Sequence, residues 1–310
     1  MLNKPRALRP GDTLGLIAPS GGLKDPEQLR AAAAMLGRLG FQAKSGAHCR
    51  EAHGYLAGGD AGRAADLNAM FADPEVAGIV CLKGGYGATR ILDALDYGLI
   101  ARNPKVLVGY SDITALHLAL NQRSGLPTFH GAMALSGALL EGDPFSTRSW
   151  LAALTAGTPG RLENPPGWPG LRALAGGTAR GVLTGGNLTV IAATMGTPYE
   201  LDARGRILFF EDIDERPYRI DRMLTQLRLA GKFRECAGIV LGDWNNCVPD
   251  PGERSLELQE VFREVLPAGK PVLAGLQAGH CQPMLTFPLG VEAVLDADAG
   301  TLDLVETALG

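Results

Sequence analysis

Long apolar runs are missing from these 310 residues: no uninterrupted stretch approaches the roughly 18 residues that a membrane-spanning helix needs. The opening Met1-Leu2-Asn3-Lys4-Pro5 has no apolar core of the kind that directs secretion, so the expected location is cytoplasmic. Basic clusters are also missing. With 29 Lys and Arg against 33 Asp and Glu, the net charge is −4, and no Lys/Arg group is interleaved with aromatics, which argues against nucleic acid as a partner. Cysteine is scarce and unpaired: Cys49, Cys81, Cys236, Cys247 and Cys281 are odd in number and scattered, giving neither a disulfide framework nor a Cys-x-x-Cys metal pair. No His-Glu-x-x-His helix and no Gly-x-Gly-x-x-Gly loop occurs, so the expectation is an enzyme or binder without metal or organic cofactor.

What is present is a chain 46% hydrophobic, enough to bury one large or two moderate cores. In the first half, short apolar runs alternate with helical spacing: Thr13–Ala18 then Pro26–Leu39, Gly78–Leu82 then Ala88–Leu95, Lys105–Val108 then Ile113–Leu120. Runs apolar at successive positions predict strands buried on both faces, hence a mostly parallel sheet flanked by helices. Each strand ends in a Gly- or Ser-bearing turn, namely Pro19-Ser20-Gly21-Gly22, Lys83-Gly84-Gly85-Tyr86-Gly87 and Gly109-Tyr110-Ser111, and these turns are expected to share one rim. Clustered Pro159, Pro165, Pro166 and Pro169 break the pattern, dividing the chain into a domain over 1–157, a linker over 158–177 and a domain over 178–310. In the second domain, Gly181–Leu183, Arg206–Phe210, Gly238–Leu241 and Pro271–Leu273 read as strands, Pro217–Ala230 as a helix, and Val291–Ala297 with Thr301–Val305 as a hairpin.

The chemistry starts from Ser111, placed where a strand turns into a helix. A tight turn there lifts the hydroxyl clear of the sheet beside the N–H groups that open the helix. A helix cap by Ser111 or Asp112 explains the same residues without chemistry. A serine hydroxyl needs a base, and the base needs an orienting carboxylate. Among the histidines, His48 and His53 lie in a polar loop and His117 lies well round the following helix; His130 and His280, both in turns after strands, remain, and spacing does not choose between them. The acidic run Glu211-Asp212-Ile213-Asp214-Glu215 follows Ile207-Leu208-Phe209-Phe210, and Glu211, nearest the strand, is held best. Asp214 and Glu215 fit a helix N-terminus, or ion pairs with Arg219 and Arg222. The Lys83–Gly87 loop lets backbone N–H groups approach a developing negative charge. Thr184-Gly185-Gly186-Asn187-Leu188 reads as a strand-to-helix turn, and Cys281 draws notice for following His280.

Together, six ordered blocks resemble the LD-carboxypeptidase family of serine peptidases, which includes murein tetrapeptide carboxypeptidases and microcin-immunity peptidases. They are Gly15-Leu16-Ile17-Ala18-Pro19-Ser20, Lys83-Gly84-Gly85-Tyr86-Gly87, Gly109-Tyr110-Ser111-Asp112, Gly185-Gly186-Asn187-Leu188, Phe210-Glu211-Asp212 with Tyr218-Arg219-Ile220-Asp221-Arg222, and Gly279-His280 with Pro288-Leu289-Gly290. The resemblance implies an α/β fold, with an N-terminal flavodoxin-like parallel-sheet domain and a C-terminal swivelling β/α domain. It also implies a triad of Ser111, Glu211 and His280, which leaves His130 a structural neighbour. The expected oxyanion donors are the backbone N–H groups of Asp112 and Gly85. A small peptide or muropeptide substrate and a homodimer are implied as partners, without cofactor or metal. Lys83 stands where many relatives have arginine and Met284 where many have asparagine, which bears on side-chain specificity. Ile113 replaces the second glycine of Gly-x-Ser-x-Gly, unlike ordinary α/β-hydrolases. Two other readings remain: a peptidyl-nucleotide peptidase that stacks a base on Trp168, Trp244 or Tyr86, and a non-catalytic two-lobe binder of small ligands.

Overall fold

A computed structural model of the protein describes residues 2–157 and 159–310. These form two compact units. The first combines residues 2–157 with Gln282–Gly290 and Thr307–Gly310, and the second combines Pro159–Cys281 with Val291–Glu306. In chain order the first unit contains β1 (Thr13–Ile17), α1 (Glu27–Arg38), β2 (Gln42–Ser45), α2 (Asp60–Ala72), β3 (Val76–Cys81), α3 (Tyr97–Arg102), β4 (Val106–Gly109), α4 (Thr114–Ser124), β5 (Thr128–His130), α5 (Gly137–Leu140) and α6 (Pro144–Thr155). The second continues with β6 (Gly160–Arg161), β7 (Arg172–Ala175), β8 (Thr178–Asn187), α7 (Leu188–Thr194), β9 (Ile207–Ile213), α8 (Pro217–Leu229), α9 (Lys232–Glu235), β10 (Gly238–Asn245), α10 (Leu258–Val265) and β11 (Val272–Ala274). After that, β12 (Phe287–Leu289) belongs to the first unit, while β13 (Glu292–Asp296) and β14 (Thr301–Leu304) belong to the second.

The first sheet runs β12-β5-β4-β3-β1-β2. Strands β1 to β5 are parallel in the order 2-1-3-4-5, the flavodoxin order, and β12 adds antiparallel to β5. Every residue of β3 and β4 is buried, as expected of strands covered on both faces. On one side, α1 turns Leu29, Ala32, Met35 and Leu36 inward at helical spacing. Truncating Met35 or Leu36 to alanine would cost about 2–5 kcal/mol through lost burial and the cavity left behind. The predicted helix after β3 is instead a 3-10 helix, Ala88–Ala94, burying Ala88, Ile91 and Leu92. Residues three apart eclipse in that geometry, so a short i, i+3 stripe suits it as well as an α-helix.

The second sheet runs β6-β14-β13-β8-β9-β10-β11-β7. Its centre, β8 to β11, is parallel, and antiparallel strands flank it on both sides. The expected hairpin is β13 and β14. Two elements, β6 and β7, fall inside the stretch 158–177 that the sequence suggests as a linker, and Gln282–Gly290 and Thr307–Gly310 group with the first unit. Among the described residues, no helix is long and apolar enough to cross a membrane.

Candidate active site

In the first unit, parallel strands bring the turns after β1, β3 and β4 to the same end of the sheet, beside the β1/β3 position where the strand order reverses. Polar bonds lock these turns together. The Gly21 N–H donates to Gly84 O at 3.1 Å, tying the first turn to the second. The buried Asp112 carboxylate accepts from the Ser20 hydroxyl at 2.6 Å and from the Ala88 N–H at 2.8 Å, tying the third to both. Burial raises the Asp112 carboxyl above its usual range, against the lowering effect of those two donors. Arg63, buried on α2, donates to Pro19 O and to Gly87 O, the latter at 2.8 Å, and pairs with Asp60. The expected common rim is present.

Ser111 opens a 3-10 turn, Ser111–Ile113, that leads into α4. Its φ of 63° lies in the left-handed region, which costs a non-glycine residue about 1–2 kcal/mol. Such strain is kept where a fold needs one side chain aimed in one direction. A Cβ added to Gly84 would lie 3.0 Å from Ser111 Cβ, 3.1 Å from its Oγ and 3.6 Å from the Asp112 N. The glycine loop therefore runs bare backbone at Gly84 against the serine and the Asp112 N–H, while Gly85, at φ 114°, packs against Gly21 of the first turn.

In the second unit, β9 runs past Phe210, so Glu211 lies within the strand rather than after it, paired in register with Asn187 and fully buried. His280 Nδ1 lies 2.7 Å from Glu211 Oε2. Gly279 permits this approach: a Cβ there would stand 2.6 Å from that oxygen, and its φ is 115°. The turn is held further by the Asn245 Nδ2 donating to His280 O at 2.6 Å and the Asp243 N–H donating to Ala278 O at 2.9 Å. Burial pulls the His280 pKa down, but the hydrogen bond and charge of Glu211 outweigh it, leaving the imidazole above its ordinary value. Burial raises the Glu211 carboxyl in turn, against the lowering effect of His280.

Asp212, whose side chain takes the other face of the strand, accepts from Asn187 Nδ2 at 3.0 Å, the Thr189 N–H at 2.9 Å and the Thr189 hydroxyl at 2.8 Å. Asn187 also caps α7 through the Val190 N–H. The segment Thr184–Leu188 is thus the end of β8 and a helix cap that braces the strand bearing Glu211. Sequence reading missed that brace, although Asn followed three residues later by a helical position is a legible N-cap signal.

Three of the remaining histidines are held by other contacts. His48 pairs with Asp66 at 2.7 Å. His117 is buried with Nε2 at 2.9 Å from Gly109 O, and burial pushes its pKa down to about 4. His130 ends β5, buried among the rings of Tyr110, His117 and Phe287. Burial, reinforced by the Asp243 and Glu211 charges, pushes the Cys281 thiol far above its usual value, which removes it as a thiolate nucleophile at neutral pH. Glu215 pairs with Arg219 at 3.5 Å, while Arg222 lies over the Tyr218 ring. Among the described residues, no group of three or more His, Cys, Asp or Glu side chains is placed to hold a metal.

Two sets of groups result: a strained serine packed against the backbone of the glycine loop, and a buried carboxylate bound to an imidazole. Models of the LD-carboxypeptidase N-terminal and C-terminal domains match residues 14–131 and 180–295. The chain belongs to the LD-carboxypeptidase family. It is 45% identical to a probable murein peptide carboxypeptidase of Bacillus subtilis, over 94% of this chain and 91% of the relative. It is 33% identical to a murein tetrapeptide carboxypeptidase of Pseudomonas aeruginosa, over 92% and 93%. The solved structure of MccF in complex with glutamyl sulfamoyl guanosine matches with a TM-score of 0.89 at 27% identity, covering 99% of both chains.

Proposed function

We propose that the protein is a serine carboxypeptidase that hydrolyses an L,D-peptide bond, removing the terminal D-alanine of a muropeptide tetrapeptide in cell-wall recycling. The observation that carries this reading is the 2.7 Å bond between His280 Nδ1 and a fully buried Glu211. A carboxylate accepts, so the imidazole donates through Nδ1–H, and Nε2 is the nitrogen that takes a proton. On this reading the Ser111 hydroxyl gives its proton to Nε2 and its oxygen attacks the scissile carbonyl carbon. Glu211 holds the tautomer and stabilises the imidazolium. The oxyanion is stabilised by the N–H groups of Asp112 and Gly85; losing one such donor costs about 2.7–4 kcal/mol in barrier. The imidazolium then protonates the departing amine as the C–N bond breaks, D-alanine leaves, and water, deprotonated by the same imidazole, hydrolyses the acyl-Ser111 ester.

The murein carboxypeptidases, at 45% and 33% identity, favour a peptide substrate over the peptidyl-nucleotide suggested by the MccF likeness at 27%. A cytoplasmic homodimer belongs to the same reading. The test is incubation with a tetrapeptide ending in D-alanine, and separately with its L-alanine epimer, followed by mass spectrometry of released alanine. Release from the D form alone is expected. Release from neither, or from both equally, contradicts the proposal. In S111A, turnover falls by orders of magnitude while peptide binding persists; a binding module would show no turnover to lose.

A further inference from the structure

Among the described residues of the first unit, only Tyr55 and Tyr86 are large hydrophobic side chains left exposed, at 68% and 49%. They touch each other: their ring centroids are 5.6 Å apart, and the planes cross at 66°. Two isolated exposed aromatics would need no explanation, but the only two on a unit meeting at one point form a patch, and such patches mark binding surfaces.

Their position is fixed by the rim that holds Ser111. Tyr86 belongs to the loop whose Gly84 lies against the serine. Tyr55 sits on a short loop pinned to the first turn, with the Gly22 N–H donating to Tyr55 O at 3.2 Å and the Ala57 N–H donating to Ser20 O at 3.0 Å, over a buried Leu56. Beside them lies Arg90, which grips Asp60 through three contacts of 2.9–3.0 Å and interacts electrostatically with both phenols.

We propose that Tyr55 and Tyr86 form a platform for the sugar ring of a glycosylated peptide substrate, holding the part remote from the scissile bond. The two exposed rings cross at 66° and so do not form the parallel slot that would sandwich a nucleobase. An exposed aromatic pair beside a carboxylate and a guanidinium suits a pyranose, which presents C–H groups to a ring and hydroxyls to the charges. This inference rests on the peptidase reading above and extends it to the identity of the substrate.

The test compares kcat/KM for a muramyl tetrapeptide and for the same tetrapeptide without sugar, in the unmodified chain, Y55A and Y55F. The sugar-bearing substrate is expected to be preferred. That preference should fall about tenfold in Y55A, mainly through KM, and be largely recovered in Y55F, which keeps the ring. An equal loss on both substrates would make Tyr55 a loop support and overturn the proposal, as would an unchanged ratio or an effect confined to a nucleoside-bearing peptide. Calorimetry with muramyl tripeptide and free tripeptide needs no turnover, so it reads the platform even if the peptidase reading fails. Tighter binding of the sugar-bearing ligand, lost in Y55A, supports the platform; equal binding overturns it.

Discussion

Replacing Glu211 with glutamine removes one charge and preserves the shape of a fully buried side chain, so it isolates what the carboxylate does for His280. In the native chain that carboxylate lies 2.7 Å from Nδ1 and outweighs burial to hold the imidazole above its ordinary pKa. A neutral amide offers either oxygen or NH2 to Nδ1, so it no longer enforces the Nδ1–H tautomer or stabilises the cation formed during attack. In serine triads that loss is of order 10⁴-fold in kcat, equivalent to about 5.5 kcal/mol of barrier. The pH profile should move as well. The base must be neutral, so native activity rises as pH climbs through an imidazole pKa above the ordinary value; without the carboxylate charge that acid limb shifts to lower pH.

Stability should respond differently. A carboxyl raised by burial binds its proton more tightly folded than unfolded, so it lowers stability once pH exceeds the unfolded value, and glutamine relieves this. His280 works the other way: its raised pKa adds stability below about 6.5 that is lost as pH rises through the folded value, and E211Q forfeits it. Once pH has risen past the folded His280 value, the melting temperature of E211Q should therefore equal or exceed that of the native chain. Amino-acid release from pH 5 to 9, with thermal melts alongside, reads all of this. Activity above one tenth of native, or an unmoved acid limb, would refute the role given to Glu211.

Ser111→Gly should abolish turnover yet raise stability by about 1 kcal/mol, because glycine adopts a φ of 63° without penalty; thermal melts showing a lower midpoint would contradict strain at this turn. Asp112→Ala should leave the Ser20 hydroxyl and the Ala88 N–H without their buried acceptor, costing about 2–4 kcal/mol by denaturant titration and lowering kcat through the loosened turn.

Much of this was legible along the chain, for physical reasons. Val76–Cys81 and Val106–Gly109 are apolar at every step, a pattern that only a doubly covered strand requires, and the Ser111 turn follows directly. Other features carry little local signal. The exposed edge strand Gln42–Ser45 shows no apolar alternation. Phe287–Leu289 is three residues long with Pro288 at its centre, which an edge position tolerates but no strand pattern announces. Arg63 looks like a solvated helix residue until its carbonyl partners, from turns far off in sequence, are in view. The same holds for the candidate site. A strand end and a Gly-His are visible locally, but why Gly279 must be glycine depends on the Glu211 carboxylate passing beside it, a contact between residues 68 positions apart.

On the proposed mechanism the Ser111 oxygen carries the acyl group. Incubating the protein with a slowly hydrolysed ester analogue of the peptide, quenching in acid and mapping the mass increase by tandem mass spectrometry tests it directly. One acyl adduct on Ser111, absent from S111A, is expected. An adduct on Cys281 instead, or undiminished turnover in S111A, would contradict it.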